Sequence, residues 1–282
     1  ALGDPQNIPD HITLTPLIQM RQRFDQYVCL RPAKLLPGVV SPLANKKAGD
    51  IDMIVVRENS EGEYVNMGGH FKVDQPDEVS VQTALHTRKG VERILRYSFR
   101  LAQSRRKYLT LATKSSAQRY GMVMWDKIFA EISREFADVK TDKCHIDALC
   151  MNFVRCPERY DVVVGSNLFG DILTDLGGAI TGSLGLAPSA NINPERKYPS
   201  LFEPVHGSAP DIAGLGIANP LAAIRSAAMM VEFLGELEAA KLIEQAVIEN
   251  LIAGQVRTPD IEGEATTVQA GDDIAARILR SR

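Results

Sequence analysis

The stretch Tyr160-Asp-Val-Val-Val-Gly165-Ser-Asn-Leu-Phe-Gly-Asp171-Ile-Leu-Thr-Asp175 decides the fold. Its first half is an uninterrupted β-branched run closed by glycine, the pattern of a strand buried on both faces. Asp171 and Asp175 follow, four residues apart, so on a helix both carboxylates project from one face. Like charges at that spacing repel unless a cation lies between them. A helix N-terminus also favours the first carboxylate, so capping and solvation explain it without any ion. The pair stands just beyond a strand's C-terminal end, where open α/β sheets place their ligands. Hard oxygen donors of this kind suit Mg²⁺ or Mn²⁺. By themselves the metal and capping readings stand level.

Outward from this unit, strand-like and helix-like patterns alternate. Residues 51–56 (IDMIVV) and 79–85 read as buried strands, and 108–112 as a short one. Val91, Ile94, Leu95, Ser98, Phe99 and Ala102 fall on one helical face, and 120–136 keeps helical spacing. Segments 221–234, 237–252 and 268–279 read as three further helices. Residues 1–50 and 182–220 break the rhythm, being rich in Pro, or in Gly, Pro, Ser and Asn. The second is the expected binding loop. The fold class is α/β with a helical C-terminal third.

Composition closes off other classes. The 282 residues are 45% hydrophobic and 24% charged, which excludes intrinsic disorder. The 32 basic and 35 acidic side chains leave a net charge of −3, with no basic field to hold a phosphate backbone. No apolar run is long enough to span a bilayer. Cys29, Cys144, Cys150 and Cys156 form no CxxC pair and read as free thiols of a reducing compartment, the cytoplasm.

Three constellations carry chemistry. Asp147 in Cys144-His-Ile-Asp147 is a candidate third carboxylate, although helix-start and surface roles are commoner. Arg21, Arg31 and Arg57 lie in otherwise apolar or turn-like segments, and their planar forks grip carboxylates two-pronged; for any one of them alone a surface ion pair is the commoner role. Tyr64, after the acidic turn Arg57-Glu-Asn-Ser-Glu-Gly-Glu63, is a candidate proton donor, and Lys114, ending LTLAT, a candidate base. Packing and solvent exposure are their ordinary roles. The loop from Glu203 to Pro220 contains Gly214-Leu-Gly216, but Asn219 replaces the last glycine of GxGxxG and no strand–turn–helix surrounds it. It is not a Rossmann fingerprint.

Taken together, FDQYVCLRPAKL, VVRENSEGEY, ATKSS, HIDAL, DVVVGSNLFGDILTDLGG, APSANINPER and LFEPVHGSAPDIAG–GIANP resemble the metal-dependent β-decarboxylating dehydrogenases, a family that includes isopropylmalate, isocitrate, tartrate and D-malate dehydrogenases. RENSEGEY and PSANINPERKYPSLFEPVHGSAPDIAG resemble the tartrate/D-malate branch. The resemblance implies an isocitrate/isopropylmalate dehydrogenase-like two-domain fold, with 1–26 the remnant of a large domain, 27–181 a small domain with dimerisation elements, and 182–282 the large domain with its NAD loop. The family's opening βαβ segment has no counterpart here, so the expectation is an N-terminally truncated form short of roughly half a domain.

The resemblance assigns substrate carboxylates to Arg21, Arg31 and Arg57, the general acid to Tyr64 and the base to Lys114. It assigns the metal to Asp147, Asp171 and Asp175, and NAD to Glu203, His206, Gly207, Ser208, Ala209, Asp211 and Asn219. An acidic residue at 211 disfavours the extra phosphate of NADP. Lys114 and Asp147 are implied to serve the partner's site, which makes a homodimer obligatory, and K⁺ is a further candidate cofactor. Two departures stand out: Ser116 replaces an Asn, and Leu14-Thr15-Pro16-Leu17-Ile18 replaces the tartrate branch's Trp-Gly segment with one residue fewer. Leu17 is the candidate specificity residue, and an apolar pocket there keeps 3-isopropylmalate as the alternative substrate. A non-catalytic truncated or regulatory subunit is the alternative of another class.

Overall fold

The computed structural model describes residues 7–281. Strands β1 (Val28–Lys34), β2 (Asp52–Glu58), β3 (Gly68–Phe71), β4 (Val79–Gln82), β5 (Tyr108–Thr113), β6 (Lys140–His145), β7 (Val162–Gly165), β8 (Pro188–Ile192) and β9 (Leu201–Pro204) intersperse with helices. The helices are α1 (Asp10–Thr13), α2 (Thr15–Arg23), α3 (Arg88–Gln103), α4 (Gly121–Ser133), α5 (Ile146–Arg155), α6 (Asn167–Ile180), α7 (Leu221–Leu234), α8 (Leu237–Ala253) and α9 (Thr267–Arg280).

Seven strands form one sheet in the order β6-β5-β7-β2-β1-β8-β9. β6, β5, β7 and β2 are mutually parallel, whereas β1 pairs antiparallel with both β2 and β8. All four residues of β7 are buried, as its β-branched run requires. The parallel strands end together on one edge of the sheet. In register there, Arg57 lies opposite Gly165 and Thr113 opposite His145. Every chemically interesting residue of β2, β5, β6 and β7 therefore emerges at the same edge.

The main core lies between this sheet and the helices, with Trp125, Phe99, Phe153 and Tyr160 among its largest members. The helical face read from 91–102 is the buried face of α3. A smaller core of Leu36, Leu186, Leu221, Val247, Leu251 and Ile274 joins α7, α8 and α9. No helix among the described residues is long and apolar enough to cross a membrane.

Several strands depart from the sequence reading. β4, expected buried, is exposed throughout and pairs only with β3 in a two-stranded hairpin. Its Val-Ser-Val-Gln alternation supplies one apolar face and nothing to cover the other. β1 lies inside residues 1–50, hidden by Arg31 and Pro32. β8 pairs only Val28, Cys29 and Leu30, so Pro32 sits beyond that ladder, where its missing N–H costs nothing. β8, with five buried residues, and β9 lie inside the segment read as irregular, because Pro, Ser and Asn dilute their apolar signal.

Candidate active site

Helix α6 begins directly after β7. Ser166 caps it, accepting from the Phe169 N–H. The Glu63 carboxylate completes the cap, taking the Ser166 hydroxyl at 2.8 Å and the Leu168 N–H at 3.0 Å. A negative group on a helix N-terminus is favourable there. Because Glu63 precedes Tyr64, this cap also docks the acidic turn against the helix carrying Asp171 and Asp175. Asn167 reinforces the contact by donating to the Glu61 carbonyl at 2.9 Å.

Arg57 ends β2 with its side chain only 1% exposed. Its Nε and Nη2 donate to the Asn167 Oδ1 at 2.9 and 2.7 Å, and its Nη1 donates to Asp171. No room is left for a longer residue at Gly170, since a Cβ there would stand 2.5 Å from the Arg57 Cβ. Arg31, from β1, donates to Asp171 at 3.3 Å and to the Thr174 hydroxyl at 2.6 Å, and lies 3.9 Å from Asp175. One arginine thus touches both acids, which confirms that they share a helix face. The Tyr64 hydroxyl donates to the other oxygen of Asp171 at 2.8 Å, and the Arg57 guanidinium lies 5.4 Å from the Tyr64 ring centre.

Leu17 and Arg21, one turn apart, are the buried residues of α2. Arg21 lies 3.6 Å from Glu203, which also accepts from the Asn191 amide at 2.9 Å. Asn59 donates in turn to Asn191, so β2, β8 and β9 are laced together behind the arginines. The Nε donors of both Arg21 and Arg31 are buried without a partner among the described residues. A buried donor left unpaired is one that an acceptor such as a carboxylate would satisfy.

The electrostatics follow. Burial, and then the charge of Arg57, lower the Arg21 pKa to about 10. Burial pushes Asp171 upward, but Arg57, Arg31, the Tyr64 hydroxyl and Arg21 outweigh it and hold the carboxyl below its ordinary value. Asp175 moves the other way, raised by burial and by the neighbouring Asp171 despite Arg31. Two acids pushed apart in this manner form the donor set that a cation between them would relieve. Burial, then the hydrogen bond to Asp171, raises Tyr64 to about 12, so the phenol keeps its proton until a strong base develops beside it.

Lys114 and Asp147 stand apart from this cluster. The Lys114 Nζ donates to the Asp147 carboxylate at 2.6 Å, and the Asp147 side chain is 67% exposed. That hydrogen bond holds the Asp147 pKa below the usual range. Among the described residues no three His, Cys, Asp or Glu side chains gather to hold one ion.

The expected NAD loop divides in two. Gly207, Ser208 and Asp211 are exposed, Ala209 has a positive φ of 45°, and the His206 ring lies 2.9 Å from the Gly207 carbonyl. Asn219 is buried at the loop's end, donating to Asp260 at 3.0 Å and accepting from the Leu221 N–H at 2.9 Å, so its side chain anchors α7. Glu203 belongs to the arginine cluster. Glu63, Asn167 and Thr174 escaped sequence reasoning. The only signal for Glu63 was its place in a turn with three acids, and nothing in sequence marks which of them caps a helix.

A family model described as isocitrate/isopropylmalate dehydrogenase matches residues 1–274. The chain belongs to the isocitrate/isopropylmalate dehydrogenase family. It is 54% identical over 286 residues to the D-malate dehydrogenase [decarboxylating] of Escherichia coli strain K12, covering 99% of this chain and 79% of that protein. Identity is 51% to the tartrate dehydrogenase/decarboxylase of Pseudomonas putida, at 99% and 79% coverage. Among solved structures, isocitrate dehydrogenase from Methylococcus capsulatus superposes with a TM-score of 0.85 at 40% identity, covering 93% of this chain and 76% of that one. As a member of this family the protein is an enzyme, a decarboxylating hydroxyacid dehydrogenase.

Proposed function

We propose that the enzyme oxidises and decarboxylates a 2-hydroxy diacid, D-malate or tartrate, with NAD and Mg²⁺ or Mn²⁺. The observation that carries this reading is the convergence of Arg21, Arg31 and Arg57 on the face of α6 that bears Asp171 and Asp175, with Tyr64 hydrogen-bonded alongside. Three guanidinium groups gathered beside paired acids suit a ligand with a carboxylate at each end. The names of the relatives favour the D-malate and tartrate substrates over 3-isopropylmalate.

In this reading Arg21, Arg31 and Arg57 receive the substrate carboxylates. Asp171 and Asp175, with Asp147 of a second copy, hold the divalent cation. When bound, the cation would supply polarisation of the oxygen on C2, and NAD would supply the acceptor for the hydride on that carbon. Lys114 of the second copy takes the hydroxyl proton. After CO₂ departs, Tyr64 returns a proton to carbon, a task that its retained phenolic proton fits. The exposed 206–211 loop offers backbone groups to NAD, and Asp211 would repel an added phosphate.

A homodimer is part of the same reading. The β3–β4 hairpin exposes Phe71, Val79 and Val81, while α5 and α6 expose Met151, Val154 and Ile172. An isolated hairpin is marginal in water, and apolar side chains of this number need a cover. The four free thiols support a cytoplasmic site of action.

The test is an NADH assay of the purified chain with Mn²⁺, NAD⁺ and a panel of D-malate, tartrate and 3-isopropylmalate. Mn²⁺-dependent turnover with D-malate or tartrate is expected. Absence of turnover with every diacid would leave only the non-catalytic reading.

A further inference from the structure

Asp126 sits on α4, outside the cleft, yet its carboxylate reaches the strand ends from which Lys114 and Asp147 emerge. Its Oδ1 accepts from the Thr113 hydroxyl at 2.6 Å. Its Oδ2 accepts from the Ser115 hydroxyl at 2.9 Å and from the Lys143 ammonium at 2.6 Å. Thr113 and Ser115 flank Lys114, and Lys143 belongs to β6, the strand that leads into Asp147. Thr113 also lies opposite His145 across the β5–β6 ladder. One carboxylate therefore fastens the chain on both sides of the candidate base and the stem of its acidic partner.

We infer that Asp126 is the positioning residue of the general base, fixing the backbone from which Lys114 reaches Asp147. This rests on the assignment of Lys114 as base. Lysine hangs on four flexible carbons, so the origin of its side chain must be fixed if the ammonium is to reappear at one place. The Ser115-Ser116 turn has no apolar side chain to pin it, and the three bonds to Asp126 supply that constraint. Lys143 neutralises Asp126, which keeps it from competing with Asp147 for the Lys114 ammonium. Burial raises the Asp126 carboxyl, but the Lys143, Thr113 and Ser115 hydrogen bonds outweigh it, so the group remains an acceptor.

The test uses the whole enzyme with Mn²⁺, NAD⁺ and its diacid. Asp126→Asn is expected to lower kcat about tenfold or more, since small misplacements of a reacting group cost that much. The KM for diacid should stay within about twofold, because Asp126 bonds to none of the arginines that would bind it. In a Lys114→Ala background the same substitution should cause no further loss of the residual rate, because the two act as one unit. An equal loss in both backgrounds, or an unchanged kcat in the first, would overturn the proposal. Should Asp126→Asn not fold, Thr113→Val and Ser115→Ala remove the bonds singly. Each should lower kcat without moving KM, and an unchanged kcat in both would overturn the proposal equally. Full turnover in Lys114→Ala alone would instead remove the base assignment on which it rests.

Discussion

Asp171 is the residue on which the site turns. It accepts from Arg57, Arg31 and Tyr64 at once, so its charge is held by two strands and a turn. Asp171→Asn should therefore sharply raise the Mn²⁺ concentration needed for activity, read from a metal titration; an unchanged titration would remove it from the ligand set. The Lys114 side chain, by contrast, bonds only to Asp147 among the described contacts. Lys114→Ala should lower kcat by about 10²–10⁴, the range for loss of a general base, while Mn²⁺ binding followed by paramagnetic resonance stays intact. The sequence made these residues legible in unequal degree. The four-residue spacing of Asp171 and Asp175 fixed a shared face, which Arg31 confirms by touching both. The role of Asn219 was not legible, because a side chain's partner across 41 positions of chain, Asp260, leaves no trace in local spacing.

At the scale of elements, α6 depends on a close approach to β2. The missing side chain of Gly170 is what lets the helix lie against Arg57. Gly170→Ala should overpack that contact, costing about 1–3 kcal/mol in urea denaturation and lowering kcat by shifting both aspartates. A second element contact carries a pH signature. The Trp125 indole of α4, the chain's single tryptophan, donates to the His86 Nδ1 at 3.2 Å. Burial lowers the His86 pKa from its ordinary 6.5, despite Glu63 and Glu61. The unfolded chain then takes up a proton before the folded one, so stability should fall as pH drops below about 6.5 and continue falling to the depressed value. Trp125 fluorescence at graded pH and denaturant reads this directly, and His86→Gln, which keeps an acceptor, should flatten it. The sequence disclosed β2, β5 and β7 because parallel, doubly buried strands are written in unbroken apolar runs. β1, β8 and β9 stayed hidden because this antiparallel part of the sheet carries Pro, Arg and Asn, which a periodicity reading discards.

For the whole molecule, the candidate residues of the described chain fall into two separate groups. Asp171 and Asp175 lie with the arginines and Tyr64, while Lys114 and Asp147 pair at the ends of β5 and β6. Both groups emerge from one sheet edge, yet no three acids converge among the described residues. A second copy that brings its Lys114 and Asp147 to Asp171 and Asp175 would complete each. Mixing Lys114→Ala and Asp171→Asn chains, at a Mn²⁺ concentration too low to support the latter and under conditions that exchange subunits, should then restore activity to about a quarter of wild type, because in the hybrid one of the two symmetric sites is intact. No recovery would confine each site to a single chain. The most direct measurement is the crystal structure with Mn²⁺, the ion located by its anomalous scattering. One manganese held by Asp171 and Asp175 of one chain and Asp147 of another is the expected result. An ion bound elsewhere, or these acids far apart in the assembled enzyme, would contradict it.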